Sequence, residues 1–136
     1  VRTAIDQAFQ DAAPLSAVPD VGHGSLTERI ERFVDARLQL FAFVDGTMQV
    51  ARMRAHTIPT IDEEIAVIVE QFRVHIGEHF TTVLGAVEQP ARDVLVDAVL
   101  VLKSFDSYTI HLRLLGSSVE RIRAAWITGL TALLKN

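Results

Sequence analysis

The sequence predicts an all-α protein, a five-helix bundle, on three observations. Apolar residues recur three and four positions apart along almost the whole chain, no segment reads as a strand, and the interruptions between periodic tracts carry Pro, Gly or Ser. A chain of 136 residues that is 49% hydrophobic fills one sizeable core, so residues 1–136 are expected to form a single domain. The formal net charge of −4 supplies no strong positive field for a phosphate backbone, and this segment alone is not expected to grip DNA. There are no cysteines, which removes disulfides and thiolate metal sites and is compatible with a reducing cytosol, so a cytoplasmic location is expected. No apolar run approaches the roughly 18 residues of a membrane span, and VRTAIDQAF has neither a basic leader nor a signal-type core. A start at Val1 rather than Met points to a piece of a longer protein.

The first helix covers residues 1–13, with Ile5, Ala8, Phe9 and Ala12 on one face and Pro14 ending it. Residues 14–24, PLSAVPDVGHG, are rich in breakers and form the linker. The body, 25–136, begins at SLTE, where Ser25 and Glu28 can satisfy each other's backbone amides in a capping box. The long second helix follows with an inner stripe of Leu26, Ile30, Phe33, Val34, Leu38, Phe41, Val44, Met48 and Ala51, bent at Gly46. RAHTIPTID interrupts it, and Thr60 or Asp62 is expected to cap a third helix whose stripe is Ile61, Ile65, Ile68, Phe72, Ile76, Phe80, Val83 and Val87. Pro90 opens a fourth, running to Gly116, so apolar between Val94 and Leu102 that neighbours are expected on every side. Ser117 or Ser118 caps the fifth, with Val119, Ile122, Trp126, Leu130 and Leu133 inward.

This order of elements, from SLTERIERFVDARLQLF through LVDAVLVLKSFDSYTIHLRLLGSSVERIRAAWITGLTALL, resembles the C-terminal half of tetracycline-repressor-like (TetR) transcriptional regulators. The closing pattern carries most of the resemblance: an apolar helix, SFDSY, LRLLGSS, and a final helix ending in paired leucines. It spans about residues 25 to 136, and residues 1–13 look like the end of the helix that connects such a body to its DNA-reading head. The basic helix-turn-helix head is not among these residues. The resemblance implies a body that binds a small apolar effector between its helices, pairs with a second copy through its last two long helices in a four-helix contact, meets DNA only through the head, and performs no catalysis.

HIGEH at 75–79 admits three readings. It matches the H-x-x-E-H pattern of one class of zinc peptidases, in which His75 and His79 would bind the metal and Glu78 activate water, but no third ligand stands in a recognisable motif downstream. Phe72, His75, His79 and Val83 also continue the inner stripe, so the histidines are either hydrogen-bonded core groups or the polar points of an apolar pocket. Phe41, Met48, Phe72, Phe105 and Tyr108 are the accompanying pocket-wall candidates, with the Tyr108 hydroxyl as a polar handle; their plain alternative is core. The last two helices are more apolar than three partners can cover, and Leu112, Leu115, Ile122, Trp126 and Leu130 are the candidates for the dimer seam, with a core role as the alternative for Trp126. Arg52, Arg54, Arg121 and Arg123 read as solvated helix faces. No cofactor is expected, and the apolar stripes make a hydrophobic effector the expectation; the alternatives to such a binding body are a metal-dependent hydrolase using HIGEH and a purely structural helical bundle without a cavity.

Overall fold

The computed structural model describes residues 3–55 and 57–135; Val1 and Arg2 of the first predicted helix and His56 of the predicted break lie outside them. Every regular element among the described residues is helical: α1 (Ala4–Asp11), α2 (Ala13–Ser16), α3 (Leu26–Arg54), α4 (Pro59–His79), α5 (Thr81–Gly85), α6 (Ala91–Leu102), α7 (Phe105–Thr109), a π-helical turn (Ile110–Leu114) and α8 (Val119–Leu134).

α3 is the spine. Its capping box forms as expected, with the Glu28 amide donating to Ser25 Oγ at 3.2 Å and the Ser25 amide to Glu28 Oε1 at 3.3 Å. The helix runs uninterrupted through Gly46, and its stripe from Ile30 to Ala51 is buried. α8, α1 and α2 pack along it, and α4 and α6 pack against each other beside it. α8 presents Ile122, Trp126, Leu130 and Leu134, four residues apart, and at Gly129 its backbone comes so close to Leu102 that an added Cβ would lie 2.7 Å from that side chain. Ion pairs tie the outer faces together, Arg123 to Asp35 at 2.6 Å between α8 and α3, Arg52 to Asp106 at 3.0 Å between α3 and α7, and Arg73 to Asp97 between α4 and α6. Arg52 and Arg123 are thus helix-face cations with carboxylates across an interface, while Arg54 and Arg121 are exposed.

Five helices were too few, because polar side chains and caps break tracts that apolar periodicity alone runs together. Pro14 sits in the first turn of α2, where its missing amide costs nothing, so it opens a helix where it was expected only to end one. Pro59 does the same for α4, whose N-cap is Ile58 without a side-chain bond, and neither Thr60 nor Asp62 caps it. The third predicted helix stops at His79. Phe80, at φ −120° and ψ 33°, turns fully inward onto Phe33 at 5.5 Å between ring centres, and the Thr81 hydroxyl donates to the carbonyls of Gly77 at 2.8 Å and Glu78 at 3.1 Å. The fourth breaks after Lys103, because Ser104 Oγ accepts the Ser107 amide at 3.0 Å and starts a new helix. Gly116, at φ +62°, then reverses the chain, and Ser118 rather than Ser117 caps α8 by accepting the Arg121 amide.

The expectation that the stretch Val94–Leu102 is covered on every side fails. Val96, Val99 and Leu100 are buried, but Val94 and Val101 face outward, the latter 68% exposed. The predicted pair of long closing helices is likewise a broken α6, α7 and π turn against one continuous α8.

Candidate functional site

α3 sends Phe33, Arg37 and Phe41 inward one above another, because residues four apart share a face. α4 meets them with Phe72, His75 and His79, and the end of α6 with Lys103. The result is a polar and aromatic centre in an otherwise apolar bundle. Arg37 is 0% exposed and Lys103 1%, and both are held over rings: the Arg37 guanidinium lies 4.9 Å from the Phe33 centroid and 4.7 Å from that of Phe72, and Lys103 Nζ lies 4.3 Å and 5.6 Å from the same two.

Arg37 Nη2 donates to His75 Nδ1 at 2.8 Å, which leaves the ring proton of a neutral His75 on Nε2. His79 Nε2 donates to the Arg29 carbonyl at 3.0 Å, so its Nδ1 carries the lone pair, buried and without a hydrogen-bond partner among the described residues. Burial pushes both imidazoles below the usual histidine value; the charges of Arg37 and Lys103 add to the effect at His75 against Glu78, and at His79 the Arg29 carbonyl opposes it. Burial brings Arg37 down to about 10. Burial first, then the neighbouring Arg37 charge, push Lys103 well below the usual lysine range, and its Nζ has no hydrogen-bond partner among the described residues.

Each of these bonds uses one nitrogen of its ring and leaves the other, His75 Nε2 and His79 Nδ1, without a partner among the described residues. Among the described residues no three His, Cys, Asp or Glu side chains come together as a metal-binding group, so HIGEH does not assemble a zinc centre from His75, Glu78 and His79. Both histidines nevertheless line a cavity of about 210 Å³, with Phe33, Glu78 and the linker residues Ala17, Val18 and Val21.

The aromatic candidates pack instead of enclosing space. Phe41 sits at the middle, with Phe105 at 5.6 Å, Phe72 and Tyr108 each at 6.0 Å and Trp126 at 6.1 Å between ring centres. Met48 is buried on the same stripe, and none of Phe41, Met48, Phe72, Phe105 or Tyr108 lines the cavities described here. Burial first, then the Asp45 carboxylate, raise the Tyr108 hydroxyl above its ordinary value.

The large cavity lies elsewhere. About 690 Å³ opens between α1, α3 and the start of α4, walled by Ala4, Ile5, Val50, Ala51, Ile58 and Ile61, with the hydroxyls of Thr3, Thr47 and Thr60 and the charges of Arg54 and Glu64 around it. Thr3 Oγ1 donates to Glu64 Oε2 at 2.9 Å, joining α1 to α4 at its edge. Sequence reasoning missed this space because it is made by α1 standing off the α3 and α4 stripes, a spacing no periodicity records.

Of the proposed seam, Ile122, Trp126 and Leu130 are each 0% exposed within the single chain, and Trp126 Nε1 donates to Ser107 Oγ at 3.1 Å, so they have no surface to offer a second copy. Leu112 is half-buried; Leu115 is exposed beside Leu114, Ile110 and Val119.

Comparison with known proteins found no matching family model, no similar curated protein and no similar solved structure.

Proposed function

We propose that this chain is the effector-binding and homodimerisation body of a TetR-like transcriptional regulator, acting through a helix-turn-helix head that these residues do not include. The observation that carries the reading is the 690 Å³ cavity against α1. Its size falls in the range of small-molecule pockets, and its wall is mainly apolar with a few polar groups, as a hydrophobic effector requires. Its placement supplies a mechanism. By the resemblance α1 is the end of the connecting helix, and Ile5 of α1 is both a core residue and part of the cavity wall. A guest that prefers one stance of α1 over another shifts the population of that stance, and by linkage alters the fit of the heads to DNA.

Pairing with a second copy belongs to the same reading and uses the outward apolar residues Val94, Val101, Leu114 and Leu115 in place of the buried α8 stripe. No helix among the described residues is long and apolar enough to cross a membrane, and a cytoplasmic setting follows from the regulator reading.

The test is saturable binding of N-phenyl-1-naphthylamine, a neutral apolar fluorophore, to the purified chain. Thr47→Trp, which fills the cavity from α3, is expected to weaken binding by about tenfold or more while the helical circular dichroism stays unchanged. Non-saturable binding, or equal affinity in the variant, overturns the reading.

A further inference from the structure

Gly46 stands in the middle of α3, where nothing in the fold asks for a glycine. Its backbone is helical, its φ is not positive, and a Cβ added there would meet nothing within 4 Å. Glycine is the poorest helix former after proline, so the position gives up helix stability with no packing return inside the chain. What the missing side chain leaves is room. Gly46 lies on the wall of the 690 Å³ cavity, and Thr47, Val50, Ala51 and Arg54 follow it along α3 at helical spacing. From Gly46 to Arg54 the helix rises about 12 Å, so this wall is a track rather than a point. Phe43, three residues before Gly46, and Val50 share that face seven positions apart, and both are exposed.

The track has a polar end. The Ile58 amide donates to the Arg54 carbonyl at 3.0 Å, which sets Arg54 where α3 hands over to α4, next to Ile58, Thr60 and Ile61 of the same wall. Its guanidinium makes no ion pair or hydrogen bond among the described residues, whereas Arg52, two positions earlier, pairs with Asp106. Glu64, the acid on the wall, already accepts the Thr3 hydroxyl at 2.9 Å.

We propose that the ligand of this cavity is a long-chain carboxylic acid, its carboxylate on Arg54 and its tail laid along Val50 and Gly46 towards Phe43. The proposal rests on the reading of this cavity as an effector site and names the class of effector. A guanidinium offers a carboxylate two parallel N–H donors, and such a charge-assisted pair is stronger than a bond between neutral groups. A single-chain tail needs a narrow apolar floor without projecting side chains, and Gly46 provides it. Asp62 and Glu63, near the polar end, are exposed and off the wall, so water and salt screen them. A cationic head on Glu64 is the opposite arrangement; it would share that carboxylate with Thr3 and leave Arg54 unpaired.

Dodecanoate is the probe, its methyl ester the neutral control and dodecyltrimethylammonium the charge inverse, each titrated calorimetrically into the purified chain below its micelle-forming concentration. Dodecanoate is expected to bind saturably, about tenfold or more tightly than the ester or the ammonium, the worth of a charge-assisted pair. Arg54→Gln is expected to erase the preference for acid over ester. Gly46→Leu, which improves helix formation, is expected to keep the helical circular dichroism and the thermal midpoint and to weaken dodecanoate by about tenfold or more. Should Gly46→Leu lose its helical signal, Arg54→Gln decides, because an exposed and unpaired side chain is not needed for folding. The proposal is overturned if dodecanoate does not bind, if the ester or the ammonium binds as tightly, if Arg54→Gln keeps the preference, or if Gly46→Leu folds and binds dodecanoate unchanged. Saturable binding of N-phenyl-1-naphthylamine alongside any of those results leaves the effector reading standing and removes only the acid; failure of both the dye and dodecanoate to bind removes both.

Discussion

Arg37 and His75, thirty-eight positions apart in sequence, are joined by a 2.8 Å hydrogen bond in which the guanidinium donates and the imidazole Nδ1 accepts. That bond requires His75 without a proton on Nδ1, and burial together with the Arg37 and Lys103 charges favours the neutral ring.

His75 and His79 both have native pKa values below the unfolded value, so the unfolded chain takes up protons first. Their contribution to stability is present above the unfolded value of about 6.5 and is lost as pH falls through it towards the lower native values. Urea unfolding at about pH 7.5 and about pH 5.5 is expected to show a larger loss for the natural chain than for His75→Gln/His79→Gln, in which glutamine keeps an acceptor for Arg37 but cannot titrate. An equal loss in the two proteins contradicts the assignment.

Trp126 is enclosed by its own chain, against Phe41 and bonded to Ser107. Trp126→Ala is expected to cost about 3–5 kcal/mol of folding stability, the usual range for emptying such a site. The cost should be the same across a wide range of protein concentrations, because a core residue acts within one subunit, whereas a seam residue acts through association. Urea titrations at low and high protein concentration separate the two.

The exposed face of α6 and the π turn is where a second copy is proposed to sit. Sedimentation of the natural chain is expected to return twice its 15.0 kDa mass, and Val101→Glu with Leu115→Glu to return 15.0 kDa with helicity retained. Surface changes of this kind leave a monomer's stability within about 0.5 kcal/mol, so lost assembly with retained fold is diagnostic. A natural chain of single mass removes the dimer.

The helical class, the capping box and most buried positions of α3, though not Ala36, Arg37 or Leu40, were legible because they depend on spacing and local hydrogen bonds. The cationic centre was also written there: Arg37 stands midway between Phe33 and Phe41, and Lys103 four after Val99, both on inner lines. It was overlooked because a stripe defined by apolar residues passes over the charged ones it contains. The breaks at Phe80 and Ser104 depend on which competing hydrogen bond wins, and the space beside α1 on how far two helices stand apart. Neither quantity has a period.

The π turn alters what lies beyond it. In an unbroken α-helix, Phe105, Tyr108, Leu112 and Leu115 would descend one side at alternating steps of three and four. The Leu115 amide instead reaches back five residues to the Ile110 carbonyl at 3.0 Å, and a loop wider by one residue rotates the following side chains by about 100° about the axis. Leu115 is swung off the line of Tyr108 and left 65% open to solvent. One surplus residue of winding thus converts what would be interior leucine into outward-facing leucine, without any change in composition.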